Sequence, residues 1–183
     1  MTDHFAALDQ PRAAWLDPAT LKEAFHRKTL LTHPDVAGSV PGDFASLNEA
    51  YQVLQDPKRR IQHLLTLENA APLAQNQIVP EDLQELFMSM GGLNQRVTQL
   101  LEKARAASNP LSRSLLKGEL VAAQKEVAEL REKIRDLSGA AEERLRRTDP
   151  KQTADLSILY RRFAYLGRWS EQLDELAFQL SVL

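Results

Sequence analysis

Three stretches of this chain space their apolar residues by three and four positions, and no stretch alternates apolar with polar as a strand would. Leu83, Leu86, Met90, Leu93, Val97, Leu100 and Ala104 form the first series. Leu116, Leu120, Ala123, Val127, Leu130, Ile134, Leu137 and Ala141 form the second, and Leu156, Leu159, Phe163, Leu166, Trp169, Leu173, Leu176 and Leu180 the third. At 3.6 residues per turn each series lies along one side of a helix, and that side has to be buried against another element. The spacing therefore predicts an all-α protein whose residues 76–183 pack as a three-helix bundle.

Helix starts are marked by an acid or amide before proline: Asp17-Pro18, Asp56-Pro57, Asn109-Pro110 and Asp149-Pro150. The side-chain oxygen can accept from the first free N–H groups, and proline presets φ at the first helical position. Val79-Pro80-Glu81 predicts a fifth start, with the acid favoured at the positive end of the helix. Residues 68–80, ENAAPLAQNQIVP, show no apolar period and place a boundary between a domain at 1–75 and the bundle at 76–183.

Charge and composition exclude several functions. The chain has 23 Lys plus Arg against 25 Asp plus Glu, a formal net charge of −2. Residues 1–75 hold 7 basic and 9 acidic side chains and residues 76–183 hold 16 of each, so neither half is a basic module for nucleic acid. No apolar stretch approaches the roughly 20 residues needed to span a bilayer. The first residues carry Asp3 and Asp9 where a targeting peptide wants bases; the expectation is a cytoplasmic protein that engages neither nucleic acid nor membrane.

With no cysteine, thiolate metal sites and cysteine nucleophiles are impossible. The four histidines, His4, His26, His33 and His63, place no two on one helix face with an acid at ligand distance. No phosphate-binding glycine loop or nucleophile elbow occurs. We expect no metal, no cofactor and no catalytic residue: the chain is not itself an enzyme.

Phe87 and Met88 follow Leu86 directly, so about 100° and 200° of helical rotation carry them off the apolar line. Tyr165, beside Leu166, is displaced in the same way. Large apolar side chains outside a core invite a partner, although a wide seam can also absorb a flanking residue.

In the first half, Thr32-His33-Pro34-Asp35 closes the helix that begins at Asp17-Pro18. Pro34 bars continuation, since proline lacks a donor and pushes the preceding residue out of the α region. A second helix with Phe44, Leu47, Ala50, Tyr51, Val53 and Leu54 follows, giving a helical hairpin with His33, Pro34 and Asp35 at its tip. Taken alone, the tripeptide also reads as an ordinary helix stop with a turn-capping Asp.

The surroundings carry more. Leu21-Lys-Glu-Ala-Phe25-His-Arg27-Lys28-Thr-Leu30-Leu31-Thr32 before His33-Pro34-Asp35, then Leu47-Asn-Glu-Ala-Tyr51-Gln-Val53-Leu54-Gln-Asp56-Pro57-Lys-Arg59-Arg60, resembles a J domain. That resemblance implies that His33, Pro34 and Asp35 engage a DnaK- or HscA-type chaperone ATPase and stimulate its ATP hydrolysis, with Arg27 and Lys28 as a basic docking face. Thr32 and Leu31 stand where the family has an aromatic residue and often Lys, and Lys28 stands where it has a core Leu; the expected consequence is weaker basic docking within an intact fold.

Ile61-Gln-His63-Leu64-Leu65-Thr-Leu67-Glu68 and the bundle behind it extend the likeness: nearly the whole chain is similar to the HscB family, in which a J domain precedes a three-helix bundle. The resemblance implies an apolar patch on the bundle that holds an IscU-like scaffold protein of iron–sulfur cluster assembly, at Phe87, Met88, Gly91 and Tyr165. Gly91 stands where the family has a large aliphatic residue, and Ser89 and Gly92 replace nearby acids, which shrinks the patch. Two functions follow: delivery of the scaffold to the chaperone, or a general J-domain co-chaperone serving another client.

Overall fold

The structure, a computed structural model, describes residues 2–32, 43–70 and 79–183. Among these, every regular element is helical: α1 (His4–Ala7), α2 (Pro18–Thr32), α3 (Asp43–Gln55), α4 (Pro57–Leu67), a 3-10 turn (Glu81–Leu83), α5 (Gln84–Ala106), α6 (Pro110–Arg146) and α7 (Thr153–Ser181). None of these helices is long and apolar enough to cross a membrane. Two compact units result, residues 1–75 with 141–163, and residues 76–140 with 164–183.

Capping explains most of the boundaries. The Asp17 carboxylate accepts from the N–H and hydroxyl of Thr20, both at 2.8 Å, to open α2. Asp56 accepts from the Arg59 N–H at 2.8 Å to open α4, and Asn109 from the Ser112 N–H at 2.8 Å to open α6. Asp149-Pro150 behaves otherwise. Its carboxylate accepts from Lys151 N–H and its carbonyl from Gln152 N–H, so the acid closes a tight turn and α7 begins only at Thr153. An Asx turn and an N-cap use the same short acceptor, which is why the dipeptide predicts both equally well.

In the first unit, Phe5 and Leu8 of α1, Leu21 of α2, Leu47, Ala50 and Leu54 of α3, and Ile61, Leu64 and Leu65 of α4 share one core. Phe25 stacks on Tyr51 with ring centroids 4.5 Å apart, joining α2 to α3. Ala141 and Leu145 from the end of α6, and Leu156, Leu159 and Phe163 from the start of α7, enter this core as well. The sequence assigns four of those five to the bundle seams, and Leu145 to none. The periodicity is right and the partner is different, because spacing reports which face of a helix is buried and not what buries it.

Arg60 crosses the interior of this unit with only 4% of its surface exposed. It donates from Nε to the Ala14 carbonyl at 2.8 Å and from Nη1 to the Leu54 carbonyl at 2.5 Å. Burial pulls its pKa down to about 10, while Glu142 and Asp56 oppose the fall, so the guanidinium stays charged at neutral pH. Outside the core, Arg146 lies 4.3 Å from the Trp15 ring centroid.

The second unit buries Leu83, Leu86, Met90, Leu93, Val97 and Leu100 of α5 against Ala123, Val127, Leu130 and Ile134 of α6 and Leu166, Trp169, Leu173, Leu176 and Leu180 of α7. Lys103 pairs with Glu119 at 2.7 Å, and Arg96 pairs with Glu126, so α5 and α6 run antiparallel. Arg131 pairs with Asp174, and Gln124 donates to the Leu180 carbonyl at 3.3 Å, so α6 and α7 are antiparallel too. Exposed pairs of this kind contribute about 0–1 kcal/mol each; the apolar seams supply the stability.

Candidate functional site

Two groups of residues carry the functional expectations, one in each unit. In the first, His33, Pro34 and Asp35 lie outside the described residues. The helix that leads to them is described. Arg27 is exposed on α2. Lys28, one position on, is turned toward the N-terminal segment and pairs with Asp9 at 2.8 Å, its side chain only 26% exposed. Of the two predicted docking cations, Arg27 stands open to a partner and Lys28 is engaged within the chain.

In the second unit the relevant residues meet at the start of α5. Phe87 and Gly91 are four positions apart and Met88 and Gly91 three, so these residues are neighbours on the helix surface. Phe87 is 49% exposed and Met88 71% exposed, while Leu86 and Met90 beside them are buried. Ordinary helical geometry produces this split: the seam takes one side, and the next two positions rotate out of it.

Tyr165 of α7 reaches the same place through a residue the sequence reads only as core. Trp169, one turn after Tyr165 and 4% exposed, has its ring centroid 5.4 Å from that of Tyr165 and 6.5 Å from that of Phe87. Its indole forms a floor between the two rings. Both pairs are tilted, at 43° and 40°, and both centroid separations are in the range of favourable aromatic contacts. Tyr165 is partly buried against the core of this unit.

Gly91 leaves the middle of this face open. A Cβ built there would meet nothing within 4 Å, so neither crowding nor backbone conformation requires glycine. The cost of glycine in a helix interior, about 1 kcal/mol relative to Ala, is therefore not offset by packing within the unit. The Ser89 hydroxyl donates to the Glu85 carbonyl of its own helix at 3.0 Å, so only its oxygen lone pairs are left to a partner. Arg168, exposed on α7, completes the surroundings, with its guanidinium carbon 5.8 Å from the Tyr165 ring centroid. The apolar spacing marks Trp169 only as a core residue and does not mark Arg168. A signal for both was present, since residues three and four positions after an exposed aromatic share its helix face.

This arrangement offers a partly exposed aromatic and thioether surface with a buried indole beneath it and a cation at one edge. It supplies no nucleophile, base or metal ligand set, and among the described residues no cluster of three or more His, Asp or Glu side chains is placed to hold a metal ion.

Comparison with known proteins agrees with the first unit's residues and with the fold of the whole. The DnaJ domain family matches residues 3–63. Chaperone protein DnaJ 1 of Cutibacterium acnes is 49% identical over 43 residues, 22% of this chain and 10% of that protein. The mitochondrial J-type co-chaperone of Saccharomyces cerevisiae is 28% identical over 93 residues, 49% of this chain and 50% of that protein. The chain thus spans from a tenth to half of the length of these curated relatives. Among solved structures, the chaperone HscB of Vibrio cholerae superposes with a TM-score of 0.57 at 22% identity, covering 98% of this chain and 99% of that one. Human co-chaperone HscB superposes with a TM-score of 0.51 at 17% identity, covering 95% and 81%. Residues 3–63 thus match the DnaJ domain, and the chain that carries them has the all-helical fold of the HscB structures.

Proposed function

We propose that this protein is a cytoplasmic co-chaperone that brings an IscU-like iron–sulfur scaffold protein to a DnaK- or HscA-type chaperone and stimulates that chaperone's ATPase. His33, Pro34 and Asp35 are the trigger and Arg27 the principal docking cation. Phe87, Met88 and Tyr165, on the Trp169 floor, hold the scaffold. ATP is hydrolysed by the chaperone, and this chain contributes no catalytic residue to that reaction. Holding client and chaperone on one chain raises the effective concentration of each at the other without any new contact between them.

The observation that carries this reading is the exposure of Phe87 and Met88, with Trp169 linking Phe87 to Tyr165, on a helix whose Leu86, Met90, Leu93, Val97 and Leu100 are buried. A truncation series tests it. Phe87→Ala with Tyr165→Ala is expected to abolish capture of the scaffold while leaving ATPase stimulation intact, and capture equal to wild type rejects the scaffold assignment.

A general J-domain co-chaperone with a different client is the second reading, and the empty position at Gly91 favours it, because one fewer side chain is available for contact. Equal stimulation of the ATPase with and without scaffold, together with no scaffold capture by the wild-type chain, selects this reading over the first.

A further inference from the structure

The edge of the Phe87 face carries a charge that the chain itself does not neutralise. Arg168 lies over the Tyr165 ring, which holds the guanidinium beside the apolar surface. Elsewhere in this unit, arginines at the helix interfaces are paired: Arg96 with Glu126 and Arg131 with Asp174. Among the described residues no carboxylate lies within ion-pair distance of Arg168. On α5, Phe87 marks the side facing α7, whereas Arg96 and Lys103 mark the side facing α6. Helical rotation puts Glu85 on the α6 side, away from Tyr165. At the Tyr165 edge of the face Arg168 is therefore a cation in no ion pair, although Glu171 follows it by three positions on α7, and the centre, at Gly91, is open and neutral.

We propose that Arg168 is the polar determinant of this docking face, and that the partner's docking segment presents a carboxylate beside an aliphatic or aromatic anchor. The anchor fills the space left above Gly91 between Phe87 and Met88, and the Asp or Glu of the partner meets the guanidinium at the Tyr165 edge. The inference rests on the docking role proposed above and names the chemistry of the partner's segment. An arginine already held against a ring loses little freedom on forming such a pair, and its planar fork suits a carboxylate better than an ammonium does. Charge complementarity at the edge of an apolar patch fixes orientation and selects against basic partners.

The test uses the full chain and an IscU-like scaffold protein as probe, with affinity measured calorimetrically at about 50 mM and about 300 mM salt, conditions that differ strongly in screening. Arg168→Gln is expected to weaken binding roughly fivefold to tenfold at low salt and to flatten the salt dependence. Arg168→Glu weakens it further, and Arg168→Lys restores the salt dependence with only part of the affinity. Unchanged thermal midpoints for all three separate recognition from folding. Binding within twofold of wild type for both Arg168→Gln and Arg168→Glu, with loss of binding in Phe87→Ala, overturns the carboxylate assignment and leaves the docking face standing. Failure of the wild-type chain to bind the scaffold overturns both.

Discussion

The backbone N–H of His4 donates to Nε2 of His63 at 3.1 Å, tying the first turn of the chain to α4 across 59 positions of sequence. The imidazole is almost fully buried, with the His4 ring centroid at 4.4 Å and the Phe5 ring stacked at 5.7 Å. Accepting at Nε2 requires the neutral ring. Burial is the largest cause of a pKa held below the ordinary value near 6.5, and the nearby His4 and Arg12 act in the same direction. Asp3, 4.0 Å away, opposes the shift, but its other carboxylate oxygen is already engaged by Arg12 at 2.7 Å and 3.0 Å.

This pair gives stability a dependence on pH. A histidine whose folded pKa is depressed binds a proton more readily in the unfolded chain, so its contribution is complete above about 6.5 and is lost as pH falls through that value toward the folded pKa. Chemical denaturation between pH 7.5 and pH 5 should show falling stability in the wild type. His63→Gln, which can accept from the same N–H without titrating, should show a smaller fall over the same range. An equal slope in both proteins counts against the assignment.

Arg60 is the polar centre of the first unit, and its loss should be severe. Arg60→Met removes both donors from the Ala14 and Leu54 carbonyls, leaving buried acceptors unpaired at a cost of about 2–4 kcal/mol in total. Arg60→Lys should recover little, because one ammonium cannot reproduce a fork directed at two separate carbonyls. Urea titrations followed by circular dichroism measure both.

The two candidate docking cations should differ in effect. Arg27→Ala, at an exposed position, is expected to reduce chaperone stimulation several-fold at low salt with no change in stability. Lys28→Ala should reduce stimulation less, since that ammonium is already paired with Asp9. The separate substitution His33→Gln is expected to abolish stimulation in an otherwise folded protein. Steady-state ATPase assays on the three variants distinguish these effects from one another.

Gly91 provides a substitution expected to improve the protein. With open space where a side chain would stand, Gly91→Leu should raise stability by about 0.5–1 kcal/mol through helix propensity alone. It should also enlarge the apolar face between Phe87 and Met88. Tighter scaffold capture in Gly91→Leu indicates a partner shaped for a larger face. Weaker capture indicates that the partner's own side chain occupies that space, as proposed with Arg168.

The sequence by itself determined the elements. Spacing by three and four fixed which side of each long helix is buried, and Asp17, Asp56 and Asn109 fixed where three helices begin, because both effects act within one or two turns of chain. It likewise placed Phe87 and Met88 off the α5 seam by rotation alone. What it left open depends on contacts between distant residues. The end of α6 and the start of α7 continue the same periodicity, yet their Ala141, Leu156, Leu159 and Phe163 pack with Phe5, Leu54 and Ile61. Trp169 reads as one more seam residue until the fold sets Phe87 on one side of it and Tyr165 on the other. Periodicity measures an angle around a single helix axis, whereas a recognition surface is made where two axes meet, and only tertiary packing brings them together.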